Sequence, residues 1–209
     1  MAKHFKQTTR KTSTLIYIVL IALIIIAAIY IVFFIKGRNE TIQESNALNN
    51  VKIDEAKVDT QTTERMLQVQ ELQKENPDVV GWIEIEGTNI NYPVLQGTDN
   101  SYYMTHNYKK EETKDGSIFL DKDYDWSIPS SNLLMYGHNM GDGAMFQDLL
   151  KYENEEFYKQ HPIVRFTTAT EDAEYEIISA FKSRVYYKSE KNVFRYYYFI
   201  NADNEEEYN

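Results

Sequence analysis

The sequence predicts a mainly β domain with helical insertions, carried behind an N-terminal transmembrane helix. Three observations lead there. Positions 15–35 hold 21 consecutive residues without a charge. From Val79 onward, short segments alternate apolar and polar residues with the period of a strand. Beyond the apolar run, two stretches, near 62–76 and 143–160, repeat apolar residues at helical spacing. Many short strands with few helices point to a β-barrel or sandwich.

The apolar run reads LIYIVLIALIIIAAIYIVFFI, Leu15–Ile35. At helical rise it is about 31 Å long, close to the roughly 30 Å hydrocarbon core of a bilayer. A secretory leader would carry an apolar run of about 7–15 residues and then a small-x-small cleavage site. Here bulky Ile, Val and Phe continue to the end, so an uncleaved anchor is expected. Four Lys or Arg precede the run and two follow it. That bias places the N-terminus in the cytoplasm and the body outside, with Lys36 and Arg38 opposing it. The predicted organisation is a cytoplasmic N-terminus (1–14), a transmembrane anchor (15–35), a polar spacer (36–61) and a folded domain (62–209).

Composition narrows the function. The 209 residues include eight Gly, four Pro, 17 Tyr and no Cys, with a formal net charge of −10. Low Gly and Pro exclude collagen and most low-complexity classes. An aromatic share of 14% argues against a disordered acidic chain. Without cysteine the chain has no disulfide, no cysteine-bound zinc or iron–sulfur cluster, and no thiol nucleophile of its own. Charge is unevenly divided. Lys3, Lys6, Arg10, Lys11, Lys36 and Arg38 are the basic residues of the first 38, where there is no acid. The remainder carries all 32 acids against sixteen bases, a net of −16. Such a body is repelled by polyanions, so no nucleic-acid partner is expected.

Within the folded domain, Thr62 or Thr63 can cap a helix whose Met66, Val69 and Leu72 share a face, and Pro77 stops it. In VVGWIEIEGTNINYPVLQG (79–97), Ile83 and Ile85 share a face that excludes Trp82, and Gly87 and Gly97 punctuate the run. Segments 116–121, 132–138, 161–168 and 173–185 read as further strands, and 143–160 as one helix with Met145, Leu149 and Tyr152 in register. At the chain end, Asp203 and Glu206 form a helix-start pattern, and a frayed acidic tail is the alternative.

Of four histidines, His4 falls on the cytoplasmic side, while His106 and His161 read as structural or surface residues. His138 follows a strand through Gly137 and precedes NMGDG, a loop with two glycines. A histidine at a strand end beside flexible backbone can face a cleft. No second histidine lies at metal-ligand spacing, and there is no G-x-S-x-G. Asp121, Asp123 and Asp125 alternate along an extended segment and form a minor cation candidate, without the Gly and distal Glu of an EF-hand.

Three segments together resemble a known family: NPDVVGWIEIEGTNINYPVLQGTDNSYY (76–103), GSIFLD (116–121) and LLMYGHNMGDGAMFQDLLKY (133–152). The chain resembles sortases, most closely class B, from about Glu64 to Tyr208. The resemblance implies a sortase β-barrel decorated by helices. It implies a cysteine transpeptidase on the outer face of a Gram-positive-type cell membrane, needing no cofactor or metal. Such enzymes cleave a C-terminal sorting signal of surface proteins and pass the acyl group to an amine of a peptidoglycan precursor. The family's catalytic His maps onto His138. Asn100 and Met104 match positions lining the class B substrate groove, and Phe194 matches another across a gap.

The family's Cys ends a T-L-x-T-C strand and its Arg lies on the next, both beyond the helix that Asn204 to Tyr208 resembles. The sequence carries neither, and Arg184 and Arg195 match no catalytic position. The expectation is a chain truncated before the catalytic Cys and Arg, itself inactive, with the last barrel strands missing and unpaired edges that lower stability. Two other readings stand beside it. One is a non-catalytic, membrane-anchored sortase-like binding module of the cell envelope. The other, independent of the resemblance, is an anchored structural or interaction domain.

Overall fold

A computed structural model describes residues 16–37, 63–128, 132–187, 189–191, 193 and 195–198. Helix α1, Ile16–Gly37, has 22 residues and is long and apolar enough to cross a membrane. Its apolar side chains are exposed. The folded body forms a separate compact unit.

The body opens with α2, Glu64–Glu75. Thr63 caps it: its hydroxyl accepts from Met66 N at 3.2 Å, and Thr63 N donates to Met66 Sδ at 3.4 Å. These bonds satisfy amides that a helix start leaves orphaned. Asn76 ends the helix in an extended conformation ahead of Pro77. The buried face of α2 carries Met66, Leu67, Val69 and Leu72.

Strand β1, Val79–Glu84, pairs antiparallel with β2, Asn91–Leu95. Between them Gly87 turns the chain at φ 76°, and a Cβ there would meet the His161 ring at 2.5 Å, so the turn demands glycine. β2 runs parallel to β3, Ile118–Leu120, and β3 antiparallel to β4, Met135–Tyr136. On the other side β1 pairs with β5, Ile163–Thr167, which pairs with β6, Asp172–Glu176, both antiparallel. The order β4-β3-β2-β1-β5-β6 makes one sheet. Among the described residues it is open, with β4 and β6 at its edges. This is the expected mainly β, barrel-like architecture with helices.

Both faces of the central strands are covered, which is more than a half-buried alternating pattern requires. On one face Trp82 and Val79 pack with Val69, Leu72, Leu95 and Tyr103. On the other Ile83 and Ile85 pack with Ile90, Val94, Ile118 and Met145. Each such buried side chain contributes about 1.5–3 kcal/mol of transfer free energy. Arg65 binds the helix to the sheet: its guanidinium lies 4.4 Å from the Trp82 ring centre and donates to Glu84 at 3.2 Å.

Three element boundaries differ from expectation. The segment 143–160 is not one helix. It is a 3-10 stretch, Gln147–Glu153, then α3, Glu155–Gln160. Asn154 sits between them at φ −99°, ψ 119°, and its side chain accepts from Glu156 N, restarting the helix. The strand expected over 173–185 ends at Glu176, and 177–187 is neither helix nor strand. The strand over 132–138 shortens to Met135–Tyr136. Lys36 and Gly37, expected to open the spacer, belong to α1; the rest of the spacer, 38–61, and the helix start at 203–206 lie outside the described residues.

Candidate active site

Gly137 carries the chain from β4 to His138. A Cβ on Gly137 would fall 2.3 Å from Ile118 Cδ1 and 2.8 Å from the Phe146 ring, so this strand end packs too closely for a side chain. The His138 carbonyl accepts from Phe146 N at 2.9 Å, and Asn139 and Met145 form a bridge just beyond. The loop thus closed is pinned to the β1–β2 hairpin. Met145 N donates to the Tyr92 hydroxyl at 3.2 Å, and Asn89 Nδ2 donates to Gly143 O at 3.1 Å. Gly143, at φ 92°, and Met145, at φ 54°, take the left-handed turns. Burial pushes the Tyr92 phenol above its ordinary range, which keeps it a neutral hydrogen-bonding partner.

The His138 imidazole is half-buried, and its Nε2 lies 2.7 Å from the carbonyl oxygen of Met104. A carbonyl oxygen only accepts, so Nε2 carries the hydrogen and donates it. The neutral ring then keeps a lone pair on Nδ1, the arrangement a proton-transfer group needs.

Met104 closes a 3-10 turn, Tyr102–Met104, whose three carbonyls all accept hydrogen bonds. Tyr102 O accepts from Thr105 N at 3.2 Å and Tyr103 O from Ser117 N at 2.8 Å, while Met104 O takes His138. Gly116, at φ 58°, allows the chain entering β3 to press on this turn: a Cβ there would stand 2.4 Å from Met104 O. Tyr103 is buried and anchors the turn by donating to Asp78 at 2.7 Å. Burial holds its phenol well above the ordinary range, with Asp78 adding to the effect and an Asn76 amide opposing it.

Asn100 and Asp121 belong to one network. Asn100 Nδ2 and the Tyr136 hydroxyl both donate to Asp121 Oδ2, at 2.8 and 2.7 Å, and Asp123 N donates to Oδ1 at 2.9 Å. Asn100 Oδ1 accepts from Lys122 N at 2.8 Å. Tyr136 stands two residues before His138 on β4, and burial, then the Asp121 carboxylate, raises its phenol well above the ordinary range. The sequence reading missed Tyr136; its place beside the Gly137–His138 pair was the signal.

Asp121 is therefore a buried acceptor of donors from this chain rather than a cation ligand. Asp123 pairs with Lys122, and Asp125 caps Ser127. Among the described residues, no three His, Asp or Glu side chains gather in a way that would hold a metal ion. His106 donates from Nδ1 to Tyr102 O at 2.9 Å, and His161 from Nδ1 to Glu86 O at 2.7 Å. Met104, whose carbonyl meets His138, is 45% exposed. Phe194 lies outside the described residues. Arg184 pairs with Glu190, holding that carboxyl down at about 2, and Arg195 donates to Tyr187 O and Glu190 O. A cavity of about 490 Å³ between Leu149, Leu150, Val164, Phe181 and Tyr196 does not include His138.

Comparison with known proteins gives a consistent answer. Residues 83–205 match the Sortase domain family. Sortase B of Listeria monocytogenes is 40% identical over 146 residues, covering 66% of this chain and 59% of that protein. The chain thus spans about three fifths of the length of that relative. The crystal structure of sortase B from Bacillus anthracis in complex with AAEK1 superposes with a TM-score of 0.65 at 30% identity, covering 84% of this chain and 76% of that one. The Staphylococcus aureus sortase B-substrate complex gives 0.59 at 34% identity, covering 68% and 62%.

Proposed function

The chain belongs to the sortase family, in its class B branch, and from that premise we propose that it contributes the histidine side of a cysteine transpeptidase that anchors surface proteins to peptidoglycan. The observation that carries this reading is the hydrogen bond from His138 Nε2 to Met104 O, which leaves Nδ1 as a proton acceptor. In the reaction His138 Nδ1 takes the proton of a thiol, and the resulting thiolate attacks the scissile carbonyl of a C-terminal sorting signal. The C–N bond breaks, His138 protonates the leaving amine, and an acyl thioester remains. An amine of a peptidoglycan precursor then attacks the thioester as His138 takes its proton, and the thiolate is released. Asn100, Met104 and Phe194 line the groove that receives the signal. No cofactor takes part. Helix α1 anchors the domain at the cell membrane, with the N-terminus cytoplasmic and the body outside.

None of the 209 residues is cysteine. These residues therefore form no thioester by themselves. A second reading is a membrane-anchored module that binds sorting signals without cleaving them.

Titrating the chain with a sorting-signal peptide tests what both readings share. The NMR signals of Asn100, Met104 and His138 are expected to shift together, and their indifference to saturating peptide would sink both. Mass spectrometry of the gene product from its own cells, incubated with the peptide, separates them. An acyl adduct supports the transpeptidase, and bound but unmodified peptide supports the module.

A further inference from the structure

The turn that meets His138 also carries a second imidazole. His106 donates from Nδ1 to Tyr102 O at 2.9 Å, two residues before the carbonyl that accepts from His138. Its ring lies flat on Tyr102, with centroids 4.0 Å apart and planes 9° apart. That stack fixes the direction in which Nδ1 points. Further bonds lock the same segment. Ser117 Oγ donates to His106 O at 2.8 Å, and Thr113 N donates to Thr105 O at 2.8 Å. Tyr102 O therefore has two donors, Thr105 N and His106 Nδ1, and the His106 bond spans the turn from the far side of Met104.

We infer that His106 is a positioning residue for His138: by clamping Tyr102 O it holds the turn in the form that presents Met104 O to His138 Nε2. The chain of contacts is short and fully polar. His106 fixes Tyr102, Tyr102 and Met104 share a single turn, and Met104 O selects the Nε2–H tautomer of His138. Nδ1 of His138 is thereby kept as the acceptor. The catalytic sense of this role rests on His138 being the proton-transfer group, but the positioning itself needs no substrate.

The test uses the full 209-residue chain in detergent micelles with 15N-labelled histidine. Long-range proton–nitrogen correlations report the tautomer of His138, and water exchange reports its Nε2–H. In the unmodified chain His138 is expected as the Nε2–H tautomer. His106→Leu removes one hydrogen bond, so its Nε2–H is expected to exchange about fivefold faster, with part of the population moving to Nδ1–H. Asn carries an N–H at the same reach as His Nδ1, so His106→Asn is expected to restore the original tautomer and rate. An unchanged His138 in His106→Leu overturns the inference. So does equal disturbance in His106→Asn, because donation would then not be the cause. If His106→Leu does not fold, His106→Phe keeps the ring stack and removes only the donor. A shift in the same direction supports the inference, and no shift overturns it. These readouts are independent of sorting-signal binding. Loss of peptide response with the His106–His138 coupling intact would remove the proposed function and leave this inference standing.

Discussion

Gly137 and Ile118 pack so closely that a methyl group on Gly137 would come within 2.3 Å of the Ile118 Cδ1 atom. The same methyl would press on the Phe146 ring, whose backbone amide holds the His138 carbonyl. Gly137→Ala therefore strains both sides of His138 at once. Overpacking of this kind costs about 1–3 kcal/mol. Urea unfolding should show that loss, and the His138 Nε2–H signal should weaken with it. A stability within error of the unmodified chain would show that the strand end has more room than these contacts allow.

Two apolar residues of similar size separate the packed part of the body from its open side. Leu72 is 2% exposed against Val69, Val79 and Trp82, whereas Ile178 is 95% exposed. Leu72→Ala is expected to cost about 2–5 kcal/mol through lost burial and a residual cavity. Ile178→Ala should change stability by less than about 0.5 kcal/mol. Chemical denaturation of the pair measures both. Equal costs would mean that Ile178 is covered in solution.

The hairpin of β1 and β2 was legible because its signals are local: alternation over 79–95 and a glycine where φ is positive. His138 was legible as a strand-end residue before a glycine loop. Other features depend on groups far apart in sequence. Asp121 resembles a cation ligand until Asn100, 21 positions earlier, and Tyr136, 15 positions later, converge on it. The break at Asn154 was hidden because apolar spacing continues through it, while its side chain favours a new helix start over continuing the old one. The pattern at 177–185 reads as a strand, but strand geometry needs a partner's backbone, and none of the described residues beyond Glu176 provides one.

Alkaline pH should destabilise the body through its buried phenols. Burial and the Asp121 carboxylate raise Tyr136, and burial and Asp78 raise Tyr103. In the unfolded chain each ionises near pH 10. Below that pH both states are protonated and the contribution is complete. Above it the unfolded state loses protons that the folded state keeps, so stability falls as pH rises. Urea midpoints between pH 8 and 11 should decline, and Tyr136→Phe should make the decline shallower. A midpoint independent of pH in that range would refute the account.

Asn100 has two assignments, and they make different predictions. As a groove residue it contacts the sorting signal, and its loss weakens peptide binding alone. As a network residue it donates to Asp121 and accepts from Lys122 N, so its loss leaves a buried carboxylate short of a donor. Removing one partner of a buried hydrogen bond costs about 1–3 kcal/mol, more than the net worth of the bond. Asn100→Ala should therefore lower stability by that amount even without peptide. Asp121 is 4% exposed and also accepts from the Tyr136 hydroxyl, so the disturbance should travel along β4 toward His138. Asp121→Asn removes the charge that needs the donor, and in that background Asn100→Ala should cost less. A double-mutant cycle by urea unfolding gives the coupling, expected between about 0.5 and 3 kcal/mol for residues in one network. A coupling of zero, with peptide affinity falling as in the single variant, would make Asn100 a groove residue and no part of the support beneath Tyr136.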